Sequence, residues 1–364
     1  MLREKEDKKK EKEKATEKTK KEKKEENIAL TPACSILGKG GKKEDRKEKK
    51  DKKEKGKKDK KEEKEEKTEK RMQKDLQGDY GPTAFVLQPT ESLAKACAVF
   101  KEEIGRELER ASYGPSGKKV LWFEFFCGSK RVALRMQRNH GKNSLGIDTL
   151  QGAHHDLTNP GVFAVIEECC EDGFSAGCHL GTPCGSWNAA RHGTPGSGCP
   201  PPLRDRKENI YGFKEGLSQL DMARIKEGNT TMRVTGRLIK LFKKHALPTT
   251  LENGINSMLW FAPEIQEEMD KDCMQLTVDY CLMGMRWRKR TRLAGWNLDK
   301  EVRARAWKNR KGLRCSSKKG CCDRTGKPHV RLTGWARGMA LTKKAEEYPR
   351  KFANLICNLL CGKA

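Results

Sequence analysis

The chain is 364 residues long and strongly basic, with 78 Lys+Arg against 51 Asp+Glu and a net charge of +27. That length accommodates a sizeable buried core, and with no apolar run near the roughly 20 residues of a membrane-spanning helix, membrane insertion is not expected. Fifteen cysteines, an odd number, in a chain opening Met-Leu-Arg-Glu-Lys argue against a secreted disulfide framework, so reduced thiols and an intracellular protein are expected.

The charge is unevenly spread. Residues 1–70 hold 29 of the basic and 20 of the acidic side chains and no aromatic residue, which leaves 49 and 31, a net +18, for residues 71–364. Such a segment buries too little apolar surface to offset its ordering entropy, so residues 1–75 are expected to be a disordered Lys/Glu-rich tail. Its lysine runs, such as Lys47 to Lys60, suit a nuclear address, a loose polyanion contact or a merely solvating tract. One apolar island, Ile28 to Leu37, interrupts it. The basic remainder favours nucleic acid as a partner, with plain solubility as the alternative.

Leu93, Ala96, Ala98, Val99, Ile104 and Leu108 recur at helical spacing and predict an amphipathic lead-in helix over 90–113, broken by Gly114, Pro115 and Gly117. Strands are then expected at Val120 to Phe126, Ser144 to Ile147, Ser175 to Leu180 and Thr249 to Glu252. Helices near Lys130 to Arg138, Val162 to Glu168 and Leu220 to His245 alternate with them, the last open to a break at Gly228. The alternation predicts an α/β domain over 118–364, a mostly parallel sheet with helices on both faces.

Ligands on such sheets sit beyond the carboxyl ends of the strands. The first strand runs into Glu124-Phe125-Phe126-Cys127-Gly128, where the glycine admits close approach of a ligand to the backbone. The second ends at Asp148, placed to grip a ribose, and Asp156 follows at a turn; taken singly, each reads as a helix cap before it reads as a ligand. The third leads into Gly181-Thr182-Pro183-Cys184-Gly185-Ser186-Trp187, a loop stiffened by Pro183 that carries a cysteine. Trp187 stands near for stacking, and Arg191 and His192 are near enough in sequence to favour a thiolate. The fourth ends in Glu252-Asn253. Beyond it, Arg288, Arg290 and Arg292 fall on one face of a predicted strand, a row that serves equally well as a solvated or a phosphate-binding face.

Taken in order, these segments resemble the DNA cytosine-C5 methyltransferase family over about residues 120 to 360. Phe123 to Gly128 is similar to its first cofactor motif, Thr182-Pro183-Cys184 to its Pro-Pro-Cys loop and Glu252-Asn253 to its Glu-Asn-Val motif. Arg290-Thr291-Arg292 is similar to its Arg-x-Arg pair, and Tyr348-Pro349 to its closing motif. The resemblance implies a Rossmann-like, S-adenosylmethionine-dependent fold that methylates cytosine in DNA rather than RNA. It casts Cys184 as nucleophile, Glu252 as the group managing the proton at cytosine N3, and Arg290 and Arg292 as holding the base and backbone. Glu124, Phe126, Cys127, Gly128, Asp148, Asp156, Thr182 and Pro183 would line the cofactor site.

Two other readings stay open. Ser129-Lys130 replace the usual glycines, and the stretch between Arg292 and Gly334 is short for a target-recognition domain, as in a degenerate fold that only binds nucleic acid. Alternatively, the cofactor chemistry is retained with another acceptor. Within 308–332, a small Cys/His-containing insertion, Cys315, Cys321, Cys322 and His329 are candidate ligands of a structural zinc, against incidental cysteines in a basic loop.

Overall fold

A computed structural model describes residues 90–115, 117–188, 201–317, 320–332, 335–336 and 339–362. The charged tail expected over 1–75 lies outside the described residues, as do Arg191 and His192. All described residues belong to one unit, Leu87–Ala364.

Side-chain alternation along the central strand sets the layering. In β1 (Leu121–Phe125), Leu121, Phe123 and Phe125 join one core and Trp122 the other, because successive strand residues face opposite ways. The first core is completed by α1 (Thr90–Arg110), α3 (Pro160–Glu171) and α4 (Gln219–Lys244). Phe242 of α4 packs edge-on against the stacked Phe123–Phe125 pair, with centroids 5.9 Å from Phe125. The second core lies under α2 (Arg131–His140), α6 (Lys300–Asn309) and the C-terminal α8 (Arg350–Leu360). Helices therefore cover both faces.

β1 pairs in parallel with β2 (Ser144–Ile147) and β3 (Ser175–Leu180), and β3 in parallel with β4 (Thr249–Gly254). β6 (Arg290–Trp296) runs antiparallel to both β4 and β5 (Met274–Asp279), giving the order β2-β1-β3-β4-β6-β5. The chain steps from β1 to β2 on one side and then to β3 on the other. That reversal makes the carboxyl ends of β1 and β3 the place where open α/β sheets take ligands. Short elements complete the set: α5 (Pro263–Gln266), β7 (Trp335–Ala336), β8 (Met339–Ala340) and α7 (Leu341–Lys344).

α4 runs unbroken through Gly228. A Cβ there would stand 2.3 Å from Ser186 Oγ and 3.0 Å from Trp187 Nε1, so the glycine marks a close packing contact, not a break. β6 begins only at Arg290, which leaves Arg288 before the strand. β5 and α6 are not among the predicted elements. α6 buries Val302 alone and so lacks an apolar stripe; it starts because Asp299 accepts the backbone N–H groups of Glu301 and Val302. No helix among the described residues is long and apolar enough to cross a membrane.

Candidate active site

The turn after β1 is conformationally unusual. Phe126, Gly128 and Lys130 have φ of 56°, 46° and 53°, a left-handed backbone that costs a non-glycine residue about 1 kcal/mol and gathers at ligand clamps. Asp148, just past β2, holds this turn: Oδ2 accepts from Gly128 N (2.9 Å) and Oδ1 from Leu150 N (3.0 Å). A Cβ on Gly128 would meet nothing within 4 Å, so no described residue packs against the turn at that point. Half-buried Phe126 borders the turn, whereas Cys127 is buried and burial drives its thiol far above the ordinary range.

Glu124 lies below the turn. It is 1% exposed, its Oε2 accepts from Ala133 N in the first turn of α2 (2.7 Å), and its Oε1 is buried without a partner. Burial raises its pKa to about 7, against the pull of the backbone N–H groups of Ala133 and Val132. Asp156 accepts both the N–H and the hydroxyl of Thr158, closing a turn that leads into α3, whose cap is Asn159.

β3 delivers the cysteine loop. Thr182 is buried, its hydroxyl 2.8 Å from that of Thr235 on α4, and Pro183 is exposed. Cys184 is half-buried and opens a single turn, Gly185–Trp187, that packs on α4. Trp187 is fully buried, donates to Gly228 O (3.0 Å), and carries the Arg204 guanidinium 3.7 Å over its ring, so it is not free to stack on a ligand as the sequence suggested. Arg204, itself fully buried, donates to Ser186 Oγ, Ile225 O, Ile210 O and Asn229 Oδ1 and locks the loop to α4. Nothing in the spacing of Arg204 announces that role.

Glu252 and the cysteine loop converge. Their strands pair directly, Leu180 opposite Leu251, and Asn253 Nδ2 donates to Thr182 O (2.8 Å). The Glu252 carboxylate is 5% exposed and accepts from the Thr291 hydroxyl and from Tyr348 OH (3.0 Å), with Lys289 Nζ 3.8 Å from Oε1. Tyr348 OH also meets His179 Nε2 (3.1 Å), and His179 Nδ1 meets Thr250 Oγ1 (2.9 Å). Since the single phenolic proton goes to Glu252, this chain runs Thr250 to His179 to Tyr348 to Glu252, each group donating to the next. Burial lowers the His179 pKa to about 3, keeping the ring neutral. Neither a model of a known protein family nor a curated protein sequence matches the chain.

Cys184 shares this neighbourhood. Burial pushes its thiol above the usual range, the positive charge of Lys289 pulls it back, and the carboxylates of Glu346 and Glu252 push it up. Tyr280 is fully buried and its hydroxyl, which feels the charges of both Glu252 and Cys184, makes no hydrogen bond. His179, Tyr280 and Lys289 thus belong to the site although the sequence did not single them out. His179 sits inside an apolar strand, and Lys289 is one of several cations in the run Arg286 to Arg292.

The arginine pair points elsewhere. Arg290 makes a two-point ion pair with Asp279 on β5 (2.8 and 2.7 Å) and donates to Cys315 O (3.2 Å). Arg292 lies 5.0 Å over the Trp260 ring. Arg290 thereby joins a cluster of Cys281, Cys315, Cys322 and His329, whose ligand atoms all lie within 4.8 Å of one another and are compatible with a structural zinc. Cys281 takes the place expected of Cys321. Cys321 pairs through its backbone with Pro328, and its neighbour Cys322 faces the cluster, since adjacent residues of an extended pair turn opposite ways.

Proposed function

We propose that residues 118–364 are a Rossmann-like, S-adenosylmethionine-dependent methyltransferase domain that modifies cytosine C5 in DNA through a covalent Cys184 adduct. The observation that carries the reading is the convergence of Cys184 and Glu252, 68 positions apart in sequence, around the shared cation Lys289. The turn at Gly128, where no described residue would meet a Cβ, is bordered by Phe126 and pinned by Asp148, and it supports a cofactor at the switch between β1 and β3.

In this reading the Cys184 thiolate adds to C6 of the base, and C5 becomes electron-rich enough to accept an electrophilic methyl group, which the cofactor supplies. Glu252, oriented by Tyr348 and Thr291, would supply a proton to N3 as negative charge develops there and take it back when the sulfur leaves. Loss of the C5 proton to solvent and departure of the sulfur restore the aromatic ring and the thiolate. The base must leave the helical stack to reach the sulfur, and the net +18 of residues 71–364 favours the phosphate backbone.

A second reading, a nucleic-acid-binding protein without turnover, is favoured by the commitment of Arg290 to Asp279 and Cys315. A DNA duplex bearing 5-fluorocytosine separates the two. With S-adenosylmethionine present, the protein is expected to form an adduct that survives denaturing electrophoresis, and Cys184→Ser is expected to form none. Titration calorimetry with the cofactor completes the test. Cofactor binding without an adduct means another acceptor, and DNA binding without cofactor binding favours the second reading.

A further inference from the structure

Beyond the strand ends, one group of reactive side chains has no part in the proposed reaction. Cys281, Cys315 and Cys322 are 0%, 1% and 3% exposed, and His329 closes the group from the far side of the insertion. Buried cysteines ordinarily pack as small apolar side chains. Among the described residues these three have almost no apolar company, since Leu282 alone packs against them. A hydrophobic core is therefore missing where a segment of about fifteen residues folds back on the sheet.

The spacing is that of a coordination sphere. A tetrahedral zinc with bonds of about 2.3 Å to sulfur and about 2.0 Å to imidazole nitrogen has sulfur–nitrogen edges of about 3.5 Å and sulfur–sulfur edges of about 3.8 Å. Cys315 Sγ and His329 Nε2 are 3.6 Å apart, and no two of the four ligand atoms exceed 4.8 Å. The backbone adds a donor suited to a thiolate, since Asp323 N–H points at Cys315 Sγ (3.4 Å). The tight turn that follows Cys322 is closed by the N–H groups of Thr325 (3.2 Å) and Gly326 (2.8 Å), which both donate to Cys322 O.

The cluster is fastened to the end of β5 and to the turn beyond it, where Arg324 donates to Cys281 O (2.6 Å) and Met285 O (3.1 Å) and Val330 N–H to Arg286 O (3.0 Å). Asp279, the last residue of β5, accepts Cys315 N–H (2.8 Å) and the Arg290 guanidinium, and Arg290 returns a hydrogen bond to Cys315 O. Cys281 stands two residues beyond Asp279, in the turn after Tyr280. We infer that Cys281, Cys315, Cys322 and His329 bind one Zn²⁺, which clamps residues 314–330 onto the carboxyl end of β5 and fixes the Asp279–Arg290 pair. Cys321 is not a ligand. The site stands independently of methyl transfer.

The full chain, produced in zinc-supplemented medium and purified without chelators, is expected to carry about one equivalent of zinc by plasma mass spectrometry. Cys281→Ala is expected to lower that content at least tenfold, while Cys321→Ala leaves it unchanged. Because Cys281→Ala could unfold the insertion, cobalt exchange into the unmutated protein gives a second measure, with intense visible bands and thiolate charge transfer expected for a tetrahedral site. Chelation is also expected to open the Lys/Arg-rich segment 308–331 to trypsin. The inference is overturned if the purified chain holds no stoichiometric zinc and gives no tetrahedral cobalt spectrum. It is equally overturned by zinc loss in Cys321→Ala with retention in Cys281→Ala, by a disulfide within the cluster of the purified chain, or by unchanged trypsin resistance after chelation.

Discussion

Lys289 is the residue on which the reactivity of Cys184 turns. Burial and two carboxylates hold the sulfur as a thiol, and the Lys289 ammonium is the charge that opposes them. The ionised form, and not the thiol, is nucleophilic, so the alkylation rate of Cys184 reports the balance. Followed by mass spectrometry of the Cys184 peptide after iodoacetamide, the rate is expected to rise with pH to an inflection above the roughly 8.5 of a free cysteine. Lys289→Met is expected to move that inflection higher and to slow alkylation at pH 8 severalfold, less than the tenfold of a full pKa unit because Lys289 is partly screened by solvent. Lys289→Arg should restore most of the rate. An unchanged profile in Lys289→Met would remove Lys289 from the account of the site.

At the scale of elements, β1 and α2 are joined through a buried acid. The Glu124 pKa of about 7 lies above its ordinary 4.5, so the folded protein keeps a proton that the unfolded chain releases. The stability this group contributes is full below pH 4.5 and is lost as pH rises through about 7. At roughly 1.4 kcal/mol per pKa unit, up to about 3 kcal/mol separates pH 4.5 from pH 8. Glu124→Gln, which keeps an acceptor for Ala133 N–H, is expected to flatten that part of the pH dependence in urea unfolding at pH 5 and pH 8. Parallel pH dependences for the two proteins would refute the assignment. The element itself was plain in the sequence, as were β2 and β3, which form over the expected Ser144–Ile147 and Ser175–Leu180. The acid's task was not, because a carboxylate before an aromatic and a glycine reads equally as a cofactor ligand and as the cap of the helix behind it. Gly228 misled for the opposite reason: local propensity argues for a break, and the packing of Ser186 and Trp187 overrides it. Cys281 stayed hidden because it lies 34 positions before Cys315, and only the return of β6 alongside β5 brings the two together.

For the molecule as a whole, charge is the property that spans its length. Residues 1–70 contribute nine of the net +27 positive charges through 29 cations interspersed with 20 anions, whereas residues 71–364 contribute the other eighteen. Interspersed charges act over about a Debye length, roughly 10 Å at 0.1 M salt, and add affinity by releasing counterions from the phosphate backbone without reading sequence. Deleting residues 1–70 is therefore expected to weaken binding to a DNA duplex of arbitrary sequence chiefly at low salt, by a factor that shrinks as salt rises past physiological concentration. The slope of log affinity against log salt should fall with it, by about 0.9 for every phosphate that the truncated chain no longer neutralises. The bound complex is another matter. Cys184, Glu252, Lys289 and their supports all lie beyond residue 90, so the rate of Cys184 adduct formation at saturating DNA should be the same in the truncated and full chains. A truncation that binds DNA normally at every salt concentration would show that the tail's charge is spent on something other than DNA. One that no longer binds S-adenosylmethionine would make residues 1–70 part of the fold.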